Sequence, residues 1–292
     1  MTQQQRVLVT GAGGKLGSET CKALSRHGFD VRATDQKLEA GFPFPIELGD
    51  LKDEYFVHRL MPGVDAVVHL GNHPNAFVGP SPQRLLAENT QMNANVFQSA
   101  VQHGVRKIVF ASSIQAVLYT NPNHAGRTYE LPYFPLDSAL PYAPGPNTYG
   151  QSKEFGERML QHLTLAHPEL SATALRYPML LTERFFARFE TIRSLQGNWF
   201  NFAECLAHLT MEDAAELAAL VLERARPGFR AYFPALAMQF QGRTTADMIR
   251  EFYPGTQLTR PLDEIEELID IGDVTRDTGW APTRRIRVPL ED

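Results

Sequence analysis

The amino-acid sequence predicts an α/β fold built on a doubly wound parallel sheet. Along the first 178 residues, short apolar runs alternate with longer segments whose apolar positions recur every three or four residues. Such alternation is typical of parallel strands joined by helical crossovers. The chain has 292 residues, of which 43% are hydrophobic, and this composition is enough for a large core.

The predicted elements follow from these runs in order. Strands are predicted at residues 6–10, 31–34, 66–70, 108–111 and 172–175, and helices at 16–27, 52–61, 83–103 and 148–167. Residues 121–147, rich in Pro, Tyr and Asn, are predicted to form an irregular excursion near the site. Strand alternation fades after Pro178, and helical runs return at 212–224 and 245–252. We therefore predict a sheet domain, 1–178, and a small C-terminal substrate-binding lobe, 179–292, interleaved with the sheet.

A glycine-spaced turn follows the first predicted strand. Gly11, Gly14 and Gly17 recur at every third position, and these glycines, with Lys15 and Leu16 between the second and third, are the predicted cofactor contacts of the turn. In a Rossmann-type sheet the first glycine allows a tight turn and the second lets a ligand approach the backbone. The third lets the helix pack closely on its strand. Because the helix N-terminus also presents free N–H groups to an anion, the pattern predicts a dinucleotide pyrophosphate site.

An acidic residue stands where the adenosine ribose of such a dinucleotide would lie. Asp35 follows the second predicted strand, about twenty residues after the glycine turn. Its carboxylate would accept hydrogen bonds from the ribose hydroxyls and would repel a 2′-phosphate. The predicted cofactor is therefore NAD. A solvated acid at a strand end is the alternative interpretation.

Charge and cysteine content argue against several classes of protein. The formal charge is −5 without a dense Lys/Arg run, which disfavours nucleic acid or a membrane as the partner. Two cysteines, Cys21 and Cys205, are too few for a disulfide framework. Neither a signal peptide nor an apolar run long enough to span a membrane is visible, so we predict a cytoplasmic protein. No ligand set with metal-binding spacing is seen. A small-molecule substrate is the expected partner.

A second motif carries acid–base chemistry. Tyr149 and Lys153 stand four residues apart on one predicted helix, so the ammonium approaches the phenol. This cation and the positive charge of a bound oxidised nicotinamide are together expected to lower the phenol's pKa toward neutrality. Ser113 follows the fourth strand, at the sheet edge where open α/β folds bind ligands, and is predicted to hold a substrate oxygen. Asn89, a polar residue in an apolar-periodic helix, is predicted to hold a water that relays protons from Lys153. Asn93 and Asn95 are competing choices for that role.

Together these residues resemble the extended short-chain dehydrogenases/reductases of the NAD-dependent epimerase/dehydratase group, over almost the whole chain. The resemblance implies a Ser113, Tyr149 and Lys153 catalytic group, with Lys153 also binding the nicotinamide ribose. It further implies cofactor contacts from Asp50, Leu51, Leu70, Gly71 and Tyr177. The segment 278–282, Thr-Gly-Trp-Ala-Pro, resembles the C-terminal element of the group. A homodimer through the two long helices is an expectation from the same resemblance.

Within that group the chain looks more like the uronate dehydrogenases than the nucleotide-sugar epimerases. The predicted substrate contacts are Asn72, His73, Ser113, Gln115 and Arg188, with Arg184 as the alternative carboxylate-binding arginine. Two positions depart from the group. Ile114 and Gln115 stand where the uronate enzymes carry Asn-His, and Val117 and Leu118 stand where epimerases carry Tyr-Gly.

The leading hypothesis is an NAD-dependent oxidoreductase that acts on a hydroxyl or carbonyl of a sugar-like or other small polar substrate, with Tyr149 as acid/base. The first alternative is an epimerase or dehydratase that keeps its NAD bound through the cycle. The second alternative is a non-enzymatic NAD-binding sensor, which would not need a polarised phenol.

Overall fold

A computed structural model describes residues 4–38, 40–74, 79–118, 131–195 and 202–291. The predicted excursion at 121–147 therefore lies partly outside the described residues. The strands are β1 (Arg6–Thr10), β2 (Asp30–Asp35), β3 (Ile46–Leu48), β4 (Ala66–His69), β5 (Lys107–Ser113), β6 (Tyr133–Phe134), β7 (Ser171–Tyr177), β8 (Met179–Leu181), β9 (His208–Thr210), β10 (Gly228–Tyr232), β11 (Met238–Phe240), β12 (Gln257–Leu258) and β13 (Ile286–Val288). The α-helices are α1 (Lys15–Arg26), α2 (Glu54–Leu60), α3 (Pro82–Gln102), α4 (Thr148–Ala166), α5 (Glu183–Phe189), α6 (Met211–Glu223), α7 (Thr245–Phe252) and α8 (Gly272–Thr278).

Seven parallel strands form the main sheet, in the order β10-β7-β5-β4-β1-β2-β3. This order confirms the predicted doubly wound α/β fold, and each of the five predicted strands is present. The chain turns from β1 outward to β2 and β3, and then returns to β4 on the other side of β1. Such a reversal opens a crevice at the carboxyl ends of the strands, where the glycine turn lies.

Two strands of the sheet were not predicted from the sequence. β3 has only three residues, and β10 lies at the opposite edge with mostly half-buried residues, so neither shows a clear apolar run. β10 comes from beyond residue 178, which means that the sheet draws on both predicted units. The division of the chain at residue 178 remains a prediction.

Helices cover both faces of the sheet because its central strands are apolar on both sides. Val7 and Val9 face a core shared with α1 and α6, which pack against each other. Leu8, between them, faces the other core with residues of α2, α3 and α4. A third cluster lies outside the sheet around Phe134 and Tyr253, with rings 5.1 Å apart, and it joins the small pair β6–β12 to α7.

The C-terminal segment is anchored on α6 through a buried tryptophan. Trp280 is 1% exposed, and its indole Nε1 donates a 3.0 Å hydrogen bond to the carbonyl of Asp213. The Asp213 carboxylate accepts hydrogen bonds from the backbone N–H and the hydroxyl of Thr283, at 3.0 and 2.9 Å. The segment that resembles the group's C-terminal element therefore closes the core against α6.

Replacing Trp280 with alanine is expected to lower the free energy of unfolding by about 3–5 kcal/mol, because it empties a large buried site and leaves the Asp213 carbonyl unpaired. Urea unfolding followed by circular dichroism measures this loss. Leu165, 79% exposed on α4, offers a control, since its replacement with alanine should change stability by less than about 0.5 kcal/mol. Equal losses for the two variants would contradict the anchoring role.

Cys21 and Cys205 are both buried free thiols. Burial raises the pKa of Cys21 to about 12 and that of Cys205 well above its usual value, so neither is activated as a thiolate. Among the helices of the described ranges, none has the length and apolar character needed to cross a membrane. The predicted compartment remains a prediction.

Candidate active site

The glycine turn packs so tightly that two of its positions admit no side chain. Gly11 has a φ of +69°, and a Cβ on it would lie 2.8 Å from the backbone of Gly71. A Cβ on Gly17 would lie 2.1 Å from the carbonyl oxygen of Gly11. Gly14 differs, because the nearest atom to its Cβ would be 3.4 Å away. The first and third glycines therefore bring backbones together, and the second leaves the backbone open.

The N-terminus of α1 fits an anionic ligand. Gly14 is its N-cap residue, no side chain caps it, and its first turn contains no acidic residue. The unpaired N–H groups and the positive end of the helix dipole therefore face the cavity that Gly14, Lys15 and Leu16 line. This arrangement fits the pyrophosphate of a dinucleotide.

Asp35 lies at the end of β2 and lines the same cavity. Its carboxylate accepts hydrogen bonds from the backbone N–H groups of Gly13, at 2.9 Å, and Gln36, at 2.6 Å. These bonds fix the carboxylate beside the glycine turn. Its position fits the predicted contact with the ribose hydroxyls of NAD.

One cavity of about 1390 Å³ joins the glycine turn to the predicted catalytic residues. It exceeds the range of about 300–1,000 Å³ that single ligands usually occupy, so it has room for a dinucleotide and a second molecule. Its lining includes most of the residues predicted from the sequence: Gly11, Gly14, Lys15, Leu16, Gly17, Asp35, Leu51, Leu70, Gly71, Asn72, His73, Ser113, Gln115, Tyr149, Lys153 and Tyr177.

Three predicted site residues do not line this cavity. Asp50 accepts a 2.9 Å hydrogen bond from the backbone N–H of Lys52 and shapes the turn before α2. Arg188 is exposed on α5, like Arg184, and its guanidinium lies 5.8 Å from the ring of Phe185. The structure therefore does not bring the two arginines to the cavity wall.

Asn89, the third of these residues, is fully buried on α3. Its side-chain oxygen accepts a 2.8 Å hydrogen bond from the backbone N–H of His73, and its amide donates to the His73 carbonyl at 3.3 Å and the Ser152 hydroxyl at 3.1 Å. These contacts hold the backbone beside the cavity. The predicted proton relay through Asn89 remains a prediction, and it is Asn72 whose side chain contacts Lys153.

The residues of the predicted catalytic group come from the end of β5 and the start of α4. Asn147 caps α4 by accepting hydrogen bonds from the backbone N–H groups of Tyr149 and Gly150, at 3.0 and 3.3 Å. Tyr149 is 8% exposed, and it lines the cavity together with Ser113, the last residue of β5. The predicted serine and tyrosine therefore meet in the cavity.

Lys153 lies one turn after Tyr149 and is 3% exposed. Its ammonium donates hydrogen bonds to the Ala111 carbonyl at 2.7 Å and to Asn72 Oδ1 at 2.9 Å. It also lies 4.9 Å from the ring centroid of Phe110 and 5.5 Å from that of Tyr149. These contacts hold the cation beside the phenol, as the four-residue spacing predicted.

The pKa values of this pair are dominated by burial. Burial raises the pKa of Tyr149 to about 12, against the lowering effect of the neighbouring Ser113 hydroxyl, and the negative charge of Glu204 raises it further. Burial lowers the pKa of Lys153 to about 7, which the charge of Glu157 partly offsets. In the protein without its cofactor, desolvation of the phenolate therefore outweighs the other effects on the phenol pKa. The predicted shift toward neutrality, which includes the positive charge of the bound nicotinamide, stays a prediction.

A buried ionic network behind the site was not predicted. Glu157, one turn after Lys153, is fully buried and accepts hydrogen bonds from Arg176 at 2.9 Å, Ser112 at 2.5 Å and Tyr142 at 3.0 Å. Arg176 also donates to the carbonyls of Ser138 and Leu140. The network ties α4 to β5 and β7 beneath the catalytic group. The sequence contains one indication of this network. Glu157 follows Tyr149 and Lys153 at the same four-residue spacing, which places it on the same face of the helix.

His69 is a second buried polar residue that sequence reasoning missed. Its Nδ1 lies 2.7 Å from the hydroxyl of Thr10, and its Nε2 lies 3.0 Å from Asn93 Oδ1. The Thr10 hydroxyl accepts a hydrogen bond from the backbone N–H of Gly71, so His69 supports the floor of the cavity. Burial, together with the charge of Lys153, lowers the pKa of His69 to about 3.

This shift predicts a loss of stability in acid. Between pH 6.5 and 3 the unfolded state binds a proton at His69 that the folded state does not, so the free energy of unfolding falls as pH falls, by up to about 1.4 kcal/mol per unit. Burial also lowers the pKa of His208 to about 4, so His208 adds to the fall in the free energy of unfolding between pH 6.5 and 4. The free energy of unfolding is measured with urea at several values between pH 7 and 4. In His69→Gln its dependence on pH should correspond to the uptake of about one proton fewer on unfolding than in the wild type. The same pH dependence in His69→Gln and the wild type would contradict the lowered pKa of His69.

The comparisons with known proteins agree with this geometry. Residues 7–195 match the model of the NAD dependent epimerase/dehydratase family. The chain belongs to this family. Membership confirms NAD as the cofactor and identifies the chain as an enzyme of the family. The matched residues include the glycine turn, Ser113, Tyr149 and Lys153.

The named relatives include dehydrogenases and an epimerase. The chain is 30% identical over 161 residues to the uronate dehydrogenase of Pseudomonas syringae pv. tomato, which covers 54% of each chain. It is 29% identical over 214 residues to the NAD-dependent glucose-6-phosphate dehydrogenase of Haloferax volcanii, covering 69% of this chain and 77% of that protein. The chain spans about half the length of the uronate dehydrogenases and UDP-glucose 4-epimerases that it matches.

A structural relative shares the fold over nearly the whole chain. The UDP-glucose 4-epimerase of Bifidobacterium longum, crystallised with NAD⁺ and UDP, superposes with a TM-score of 0.68 and 19% sequence identity. The superposition covers 97% of this chain and 95% of that one. At this identity the likeness is one of fold.

Proposed function

We propose that this protein is an NAD-dependent dehydrogenase that oxidises a hydroxyl group of a small, sugar-like substrate. The observation that carries the proposal is the convergence of Ser113, Tyr149 and Lys153 on the cavity that also contains the glycine turn. A nucleotide-binding module without chemistry would not need a buried phenol that shares a cavity with a serine and is flanked by an ammonium.

Each residue has a distinct part in the proposed reaction. Bound NAD supplies the acceptor for the hydride and a positively charged ring. Ser113 hydrogen-bonds the reacting oxygen, and Tyr149 accepts its proton as the carbonyl forms. Because the pKa of the Tyr149 phenol is about 12 in the protein alone, positive charge is needed to stabilise the phenolate. The Lys153 ammonium, held 5.5 Å from the ring, supplies part of it.

The cations around the cavity favour a small substrate over a nucleotide sugar. A substrate pyrophosphate would need its own positive partners. Among the described residues that line the cavity, the lysines are Lys15, at the glycine turn, and Lys153, which is hydrogen-bonded to Asn72 and Ala111. The histidine among these described lining residues is His73, which lies 2.7 Å from the carboxylate of Glu88. This distribution supports a dehydrogenase rather than a nucleotide-sugar epimerase.

The proposal is tested by the amount of NADH formed. Purified protein, freed of bound nucleotide, is mixed with excess NAD and a panel of aldoses, polyols and uronic acids, and NADH absorbance is followed. We expect one or more compounds to give several NADH molecules per enzyme molecule. Interconversion of sugar isomers without net NADH would instead support the epimerase alternative.

A further inference from the structure

The Lys153 ammonium is hydrogen-bonded to two uncharged acceptors on different segments of the chain. It donates to the backbone carbonyl of Ala111 on β5 at 2.7 Å, and to Oδ1 of Asn72, in the turn after β4, at 2.9 Å. An ammonium has three N–H donors, so these two bonds leave one for a ligand. Because Lys153 and Asn72 both line the cavity, that donor is available to a molecule bound there.

The bond to Asn72 decides where the remaining donor points. A lysine side chain is flexible, and its ammonium can rotate about a single hydrogen bond. With Ala111 as the only acceptor, the other two N–H groups could turn away from the cavity. A second acceptor fixes the orientation of the ammonium and therefore the direction of the third donor.

The turn that carries Asn72 is itself held in place from α3. Asn89, fully buried, accepts a 2.8 Å hydrogen bond from the backbone N–H of His73 and donates to the carbonyl of the same residue at 3.3 Å. Its amide also donates to the Ser152 hydroxyl at 3.1 Å, and that hydroxyl donates to the Tyr149 carbonyl at 2.7 Å. The backbone beside Asn72 is thus tied to the first turns of α4.

The part of the cavity beside Asn72 belongs to the cofactor site. Gly71 precedes Asn72 and packs so closely on Gly11 that a Cβ on Gly11 would lie 2.8 Å from the Gly71 backbone. Asn72 therefore approaches Lys153 from the side of the glycine turn, where NAD is expected to bind.

We propose that Asn72 is a positioning residue, which orients the Lys153 ammonium toward bound NAD, rather than a contact for the substrate. The inference rests on the proposed function, because it assigns Asn72 a part in the same site. The sequence placed Asn72 among the substrate contacts, but its side-chain oxygen is bonded to Lys153 and its amide nitrogen lies 3.5 Å from the Gly71 carbonyl oxygen.

A double-mutant cycle tests whether Asn72 acts through Lys153. The dissociation constant for NAD is measured by calorimetry for the wild type, Asn72→Ala, Lys153→Met and the double variant. We expect Asn72→Ala to raise this constant about five- to tenfold, and Lys153→Met to raise it at least as much. In the Lys153→Met background, Asn72→Ala should change it by less than about twofold.

The control removes an amide elsewhere. Gln239 is exposed on β11 and does not line the cavity, so Gln239→Ala should leave the dissociation constant for NAD unchanged.

Turnover supplies a second readout, with the first sugar of the NADH assay that proves to be a substrate. Asn72→Ala should lower kcat about tenfold and leave KM for that sugar within about twofold, because the substrate loses no partner of its own.

The outcomes separate this inference from the proposed function. An unchanged dissociation constant for NAD in Asn72→Ala overturns the inference, and a raised KM would then make Asn72 a substrate contact. An equal rise with and without Lys153 also overturns it, because a purely structural role does not need the lysine. If Lys153→Met fails to fold, the dissociation constant for NAD and the KM of Asn72→Ala decide. Net NADH from no compound of the panel overturns the proposed function, whereas the cycle of NAD affinities still confirms or refutes the role of Asn72.

Discussion

Replacement of Tyr149 with phenylalanine is expected to lower kcat by a factor of about 10³–10⁴, because it removes the group that accepts the substrate proton. The same change should leave the dissociation constant for NAD within about threefold, since the glycine turn and Asp35 lie at the other end of the cavity. The two quantities are measured by steady-state NADH formation and by calorimetric titration with NAD.

The control for this variant is the loss of a tyrosine hydroxyl at a position outside the cavity. Tyr55 is 77% exposed on α2, and Tyr55→Phe removes the same hydroxyl group from a surface position, so its kcat should remain close to that of the wild type. Parallel losses of turnover and NAD affinity in Tyr149→Phe would mean that Tyr149 supports the cofactor site rather than the proton transfer. Retained turnover would mean that another group is the base.

The second large effect is expected at the glycine turn, where two alanine variants should behave differently. A Cβ on Gly17 would lie 2.1 Å from the Gly11 carbonyl oxygen and 2.7 Å from the Ala12 Cα, so α1 must move away from β1. We expect Gly17→Ala to lose at least about 3 kcal/mol of stability and to lose NAD affinity at least about a hundredfold. In Gly14→Ala the nearest contact is 3.4 Å, so stability should change little.

Gly14→Ala nevertheless places a methyl group where the pyrophosphate approaches, so NAD affinity should fall while the midpoint of thermal unfolding stays close to that of the wild type. Thermal unfolding with and without NAD measures both effects in one experiment. Wild-type stability and NAD affinity in Gly17→Ala would mean that the close packing of Gly17 on the Gly11 carbonyl oxygen is not needed for folding or for NAD binding. Full NAD affinity in Gly14→Ala would place the pyrophosphate elsewhere.

Sequence reasoning succeeded where local spacing carries the information. The three glycines and the Tyr149–Lys153 pair are each set by fixed offsets along one turn or one helix, and the structure brings both motifs to one cavity. The central strands were predicted for the same reason, since their apolar runs are nearly continuous. The parallel, doubly wound arrangement of the sheet was predicted from the alternation of strands and helices.

Sequence reasoning failed where distant segments meet. Glu204 reaches the cavity from a short turn far along the chain, and no spacing connects it with Gln115 or Tyr149. Likewise β10 is an edge strand whose place depends on pairing with β7 rather than on its own pattern. The high pKa of the Tyr149 phenol in the protein alone could not be predicted, because the cost of burial depends on the folded environment, whereas the spacing revealed only the neighbouring cation.

The most direct test of the central claim follows the hydrogen itself. A substrate found in the NADH assay is prepared with deuterium on the carbon that bears the reacting hydroxyl, and the cofactor is examined by mass spectrometry after reaction. The proposed function predicts that reduced cofactor formed by the wild type carries one deuterium, and that Tyr149→Phe forms almost none. Unlabelled reduced cofactor, or deuterium that returns to an isomer of the substrate, would contradict a net hydride transfer from the substrate to NAD.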